Sequence, residues 1–219
     1  MGQDIHQQIL EIKKSLRLSM NGVVSAHYRK QGLDYKINFG VEIPRLKGIA
    51  TNFDKSTELA RALWKENIRE CKMLAIFLMP ADEFTIEEAE EWIASARFTE
   101  IADNIVINLL SEQRGLCEKA LQWIESSEGL FPYCGYLLFA KMFREGKNLD
   151  ETQQSRYIAQ AIKSLSKEES KVLQGGAYNS LQRFIEIDEE KNIDKVRKAA
   201  KAAEAYKDSI IERLLQLYE

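Results

Sequence analysis

The stretch Ser56–Met79, STELARALWKENIRECKMLAIFLM, reads as two amphipathic helices in succession. Apolar residues recur at helical spacing over Ser56 to Glu66 and again over Ile68 to Met79, and Pro80 ends the second run. Neither half alternates as a half-buried strand would. A helical hairpin of this kind cannot bury its apolar face alone, so it needs neighbours of the same build.

Neighbours of that build follow. A second pair is expected over Phe84 to Ala94 and Thr99 to Ser111, and a third over Leu116 to Ser126 and Pro132 to Arg144. A fourth starts near Asp150 and resumes after Ser166. Their starts lie about 28, 32 and 34 residues apart, near the period of helix-pair repeats. Upstream, Ile5, Ile9, Ile12, Leu16 and Leu18 mark a first helix that breaks near Asn21-Gly22. Val23 to Lys30 reads as helix and Gly32 to Gly40 as loop, and Pro44 suits the first turn of the next helix. Glu189 to Tyr218 reads as one long terminal helix that caps the stack. The expected fold is all-α: residues 1–219 form a single domain, a right-handed α-solenoid of HEAT-like hairpin repeats, with 189–219 as the cap.

Composition agrees. The 219 residues are 45% hydrophobic and 30% charged, with only 11 glycines and 3 prolines, too few for a turn-rich β-sandwich or a Gly-rich nucleotide fold. The formal charge of −3 excludes a bulk polyanion binder, so any nucleic-acid contact must come from a local basic face. Cys71, Cys117 and Cys134 form no CxxC, and His6 and His27 have no cysteine near them, so neither a structural zinc site nor a histidine-based triad is expected. The amino terminus lacks a leader's apolar core, and no run is long enough for a membrane span; a cytoplasmic protein without metal or cofactor is the expectation.

One residue stands out by its angle. At about 100° per residue from Ile101, Asp103 falls at about 200°, between Leu110 at about 180° and Ile107 at about 240°, the only acid in the apolar arc. Glu100, Asn104 and Asn108 take the polar face. A carboxylate in that arc is either a boundary group satisfied by a basic or capping partner, or is aimed into a concave site. By contrast, Asp82, Glu83, Glu87, Glu88, Glu90 and Glu91 are a solvated helix start, favourable to the helix dipole.

Two stretches carry a family likeness: INFGVEIPRLKGIA, Ile37 to Ala50, and ELARALWKENIRECKMLAIFLM, Glu58 to Met79. Gly40, Val41, Pro44, Leu46, Lys47, Ile49 and Ala50 match a G-V-x-x-P-x-L-R/K-x-I-A pattern. Leu59, Ala60, Leu63, Trp64, Ile68, Arg69 and Glu70 match L-A-x-x-L-W-x-x-x-I-R-E. The chain thereby resembles the DNA alkylation repair family of HEAT-like-repeat proteins, the alkylpurine DNA glycosylases and their relatives. The likeness continues more weakly to about Phe184.

That resemblance implies roles. The family's W-D-x-V-D segment corresponds to Thr99-Glu100-Ile101-Ala102-Asp103, so its catalytic aspartate maps onto Asp103. The tryptophan near the lesion falls at Thr99, with Phe98 beside it as a substitute platform. A second cleft tryptophan aligns near Ser164, and the phosphate-holding arginine near Tyr133 or Cys134. Arg69 is expected to pair within the hairpin. The implied chemistry removes cationic N3- or N7-alkylpurines from duplex DNA without a cofactor: a carboxylate stabilises the positive charge developing on the sugar, while aromatic rings hold the base.

Basic residues supply the remaining expectations. Between Ser15 and Ala50, Arg17, Arg29, Lys30, Lys36, Arg45 and Lys47 oppose only Asp34 and Glu42. Lys191, Lys195 and Lys198 share a face of the terminal helix, and Lys163, Lys167 and Lys171 flank the fourth hairpin. Phe98, Thr99, Tyr133, Lys163, Lys195 and Lys198 are the candidate DNA contacts, with alkylated duplex DNA as partner and a monomer as the state. Two alternatives stay open: a non-catalytic DNA-binding relative, and a helical scaffold for a protein partner.

Overall fold

The computed structural model describes residues 4–110, 113, 115–165, 169–203 and 210–218. The regular structure of the described residues is all helix, without a strand; one isolated bridge joins Ile37 to Ile68. The chain divides into two compact units, Met1–Glu112 and Gln113–Glu219.

The first unit holds α1 (Ile5–Leu18), α2 (Gly22–Lys30), α3 (Ile43–Ala50), α4 (Thr57–Trp64), α5 (Arg69–Leu78), α6 (Ile86–Ser95) and α7 (Thr99–Ile105). Local chemistry sets these ends. The Asn21 side chain accepts the N–H groups of Val23 and Val24, Ser56 accepts that of Leu59 and Thr85 that of Glu88, each removing a donor the helix start leaves unpaired. Pro44 sits in the first turn of α3, as its missing N–H allows. α4 packs on α5, while α3, α5 and α7 touch in succession as one row. Between α4 and α6, the Trp64 and Trp92 rings stack with centroids 4.0 Å apart and planes 3° from parallel. Such a pair adds about 1 kcal/mol beyond its area burial.

The second unit holds α8 (Leu116–Glu125), α9 (Phe131–Arg144), α10 (Glu151–Ser164), α11 (Lys171–Ile187), α12 (Glu189–Ala202) and α13 (Ile210–Gln216). α10 opens with a capping box: Asp150 accepts the Gln153 N–H and the Gln153 side chain accepts that of Asp150. α9 lies against both α8 and α11. Its crossing of α8 requires Gly135, where an added Cβ would lie 2.6 Å from a methyl of Ile124 and 2.8 Å from the Ala120 carbonyl oxygen. Tyr136, Phe139, Phe143, Tyr157 and Phe184 form the aromatic core. Its two tyrosine hydroxyls are satisfied by buried serines, Tyr136 by Ser164 at 2.9 Å and Tyr157 by Ser180 at 2.7 Å.

The helices follow the expected hairpins closely. The terminal segment is described as α12 and α13, and residues 204–209 between them lie outside the described residues.

Candidate functional site

The site grows from the first two residues of α5. Arg69 and Glu70 are both buried, at 1% and 0% exposure, although a buried charge is costly unless paired. Each has found partners in the loop before α3. The Glu70 carboxylate accepts the backbone N–H groups of Phe39 at 3.1 Å, Gly40 at 3.0 Å and Val41 at 3.3 Å. Arg69 donates from its side chain to the Val41 carbonyl at 3.0 Å, and its own backbone N–H donates to the Ile37 carbonyl at 3.1 Å. Gly40 is required there. Its φ is 71°, and a Cβ would stand 2.2 Å from the Asn21 carbonyl oxygen. The two sequence patterns that carry the family likeness are therefore two halves of one clasp.

The rest of the Arg69 guanidinium reaches α7. Its Nε and Nη2 donate to the two carboxylate oxygens of Glu100, both at 2.8 Å, in a bidentate pair. Its Cζ lies 4.4 Å from the Tyr28 ring centroid. Burial acts to lower the Arg69 pKa, but the bonds and charge of Glu100, with the charge of Glu70, overcome it and raise the pKa above the ordinary value. Tyr35 lies beside the same cluster, and burial first, then the neighbouring Glu100 carboxylate, push its pKa up.

Glu100 thus fixes the start of α7, and the polar edge of the helix continues from it. Asn104 donates to the Glu100 carbonyl at 2.8 Å and Asn108 to the Asn104 carbonyl at 2.8 Å. One turn after Glu100 comes Asp103, half-buried. The Val106 N–H is shared between the Ala102 and Asp103 carbonyls, and the chain then widens into a π-helical segment, Val106–Leu110. Segments of this kind recur at functional sites. Ile107 is 62% exposed, so the apolar arc ends at Val106 and Leu110. Asp103 stands on the edge of that arc, where the angular reading had put it inside.

Phe98 and Thr99 are the N-cap and first residue of α7, both half-buried. The Phe98 ring lies 4.6 Å from that of Tyr35, and the Arg97 guanidinium is 5.6 Å from the Phe98 centroid. Phe98, Thr99 and Asp103 therefore share one helix in the first unit. At the start of α7 opens a cleft of about 330 Å³ lined by Tyr35, Lys36, Asn67, Lys72, Arg97 and Ile101. A second cleft of about 360 Å³ is lined by Lys47, Phe53, Lys55, Phe77 and Asn108. The sequence had not singled out Tyr35, Lys72, Arg97 or Lys55. These come from separate segments that no spacing unites. Glu100 did carry a signal, as the first acid of the family's segment.

The remaining candidates are in the second unit. Tyr133 is half-buried in the first turn of α9, and its ring would meet a Cβ at Gly176 at 3.0 Å. Lys163 and Lys198 are exposed, on α10 and α12. Lys195 is half-buried because its ammonium donates to the Gln154 side chain, tying α12 to α10. Ser164, where a second cleft tryptophan aligns, is 1% exposed and serves the Tyr136 hydroxyl. Cys134 is fully buried. Lys167 lies outside the described residues. Of the basic stretch between Ser15 and Ala50, Arg17, Arg29, Lys30, Lys36, Arg45 and Lys47 are all exposed.

All three tryptophans are committed to packing. Trp92 and Trp123 are each 3% exposed. Trp64 has Trp92 stacked on it and the Lys72 ammonium 4.3 Å from its ring centroid. Among the described residues no group of three or more histidine, cysteine or acidic side chains is arranged to hold a metal ion. None of the described helices is long and apolar enough to cross a membrane.

Comparisons with known proteins bear on this geometry. A family model described as DNA alkylation repair enzyme matches residues 12–207. A solved structure of "a new family of proteins related to the HEAT-like repeat DNA glycosylases with affinity for branched DNA structures" is similar in fold, with a TM-score of 0.70 and 20% identity, covering 91% of this chain and 83% of that one. No curated protein matches this sequence.

Proposed function

This chain belongs to the DNA alkylation repair enzyme family, and on that premise we propose that it acts on duplex DNA carrying cationic N3- or N7-alkylpurines and hydrolyses their N-glycosidic bonds. The observation that carries this reading is the retained carboxylate of Asp103, half-buried one turn beyond Glu100, whose own position is fixed by two 2.8 Å bonds to Arg69.

An alkylated purine already bears a positive charge and leaves readily. As the C1′–N bond breaks, its electron pair goes to the base and neutralises it, and positive charge develops on the sugar. A carboxylate facing that sugar stabilises the developing charge, and water then adds to C1′ with release of a proton. Phe98 offers a ring face to the base in place of the indole the family carries at Thr99, a weaker platform for a cation. Exposed Lys163 and Lys198 suit phosphate contacts in the second unit, whereas Lys195 would first have to exchange its bond to Gln154.

The test is single-turnover release of 7-methylguanine and 3-methyladenine from methylated duplex DNA. Wild-type protein should release both faster than spontaneous depurination, and Asp103→Asn should lose about a hundredfold or more of that rate while staying folded. Undiminished release in the variant would remove Asp103 from the mechanism.

One observation favours a second reading. With every indole taken up in packing, and a half-buried tyrosine or a buried cysteine where the phosphate-holding arginine is expected, excision chemistry loses much of its cleft. A non-catalytic protein that binds branched DNA, as the protein of similar fold does, would keep the helices without the chemistry. Tighter binding to a four-way junction than to linear duplex, with no release of base, would decide for it.

A further inference from the structure

We infer that the cleft at the start of α7 is a phosphodiester site that holds the DNA strand, a binding role that rests on the DNA-directed reading above but not on excision. Its cations arrive from three segments: Lys36 from the loop before α3, Lys72 from α5 and Arg97 from the residues leading into α7. Lys72 is the unusual member. It is half-buried, and burial pulls its pKa below the ordinary lysine value. Its ammonium donates to the Trp64 carbonyl at 2.9 Å and faces the Trp64 ring, yet no described carboxylate pairs with it. A half-buried ammonium without a counter-ion is the group an incoming anion stabilises most.

The other two cations are available. Lys36 is exposed and has no partner among the described residues. Arg97 pairs with Asp34, the cleft's one acid, at 3.3 Å, but both side chains are about two-thirds exposed. An exposed pair of this kind is worth about 1 kcal/mol at most and gives way readily to phosphate. Arginine also matches phosphate by its planar fork.

The position fits a DNA strand. Arg97 adjoins Phe98, whose ring packs on Tyr35, so an aromatic edge borders the cations. The arginine that the family likeness expects near Tyr133 or Cys134 is missing. This cleft supplies an anchor in the first unit instead.

Fluorescence anisotropy with a labelled duplex, measured over a salt series, tests the assignment. Lys36→Gln combined with Arg97→Gln should weaken binding and reduce the slope of log affinity against log salt by about two, and Lys72→Gln by about one. Lys72→Arg should restore the slope, and Lys14→Gln, an exposed charge on α1, serves as the control. Circular dichroism of each variant checks the fold, and the exposed pair Lys36 and Arg97 keeps the test valid if Lys72 variants unfold. Slopes equal to that of Lys14→Gln in the folded variants would overturn the site, as would a wild type that binds no DNA. Saturation by inorganic phosphate without DNA binding would make it a free-anion pocket and overturn the DNA assignment. Reduced slopes in a protein that releases no base would sustain the site while refuting excision.

Discussion

Arg69 grips Glu100 through two parallel hydrogen bonds of 2.8 Å each, so the first residue of α5 holds the first turn of α7. The same guanidinium binds the Val41 carbonyl, and the adjacent Glu70 binds three backbone N–H groups of that loop. These two buried charges thus tie the loop before α3 to the start of α7, the helix that carries Asp103.

The two ends of this clamp should differ in cost. Arg69→Met leaves buried Glu70 and half-buried Glu100 without their cation and should destabilise the fold by about 3–5 kcal/mol. Glu100→Gln leaves Arg69 paired with Glu70 and retains one hydrogen bond, so the loss should be about 1–2 kcal/mol. Urea unfolding measures both, and equal losses would show that the remaining pair with Glu70 does not sustain Arg69.

Helix approach in the second unit can be tested with two glycines. Gly135→Ala should destabilise by about 1–3 kcal/mol, because its Cβ would meet Ile124 and the backbone of Ala120 on α8. Gly175→Ala on α11 has nothing within 4 Å of the new Cβ and should stabilise by about 0.5–1 kcal/mol. Thermal melts of the two variants should shift in opposite directions.

Stability should fall on the alkaline side. Burial pushes the Cys71 thiol up from 9.0 to about 12, and burial also raises Tyr136 and Tyr157. Above about pH 9 the unfolded chain gives up the thiol proton while the folded chain keeps it, so the unfolded state binds fewer protons and stability declines with pH. The Cys71 contribution is fully present below the ordinary thiol value and is lost progressively towards pH 12. Urea midpoints should drop between about pH 8 and 10, and less steeply in Cys71→Ala. A flat profile would contradict this account.

Tryptophan emission should report the core rather than the ligand. Trp92→Ala removes the stack on Trp64 and should cost about 3–5 kcal/mol. Adding duplex DNA to the native protein should change its intrinsic fluorescence only modestly, through Lys72 beside Trp64, and without the strong quenching of base stacking, since none of the three indoles is presented for stacking on a base. Strong quenching would mean that binding rearranges the helices.

The sequence by itself determined the helices and their pairing into hairpins. That information is local: apolar spacing is read within a few turns, caps such as Ser56, Thr85 and Asp150 act within three residues, and Pro44 and Pro132 mark first turns. The family patterns around Gly40 and Arg69 were legible for the same reason, as was the candidate carboxylate Asp103. Tertiary structure alone decided what those residues touch. Periodicity put Glu100 on a polar face, yet its carboxylate closes on an arginine 31 residues earlier. Ser164 aligned with a cleft position, yet it lies in the core beneath Tyr136. Lys36, Lys72 and Arg97 share a cleft because a loop, α5 and the start of α7 converge there. A helical wheel gives an angle about one axis, whereas burial and pairing depend on which other helices pack against that axis.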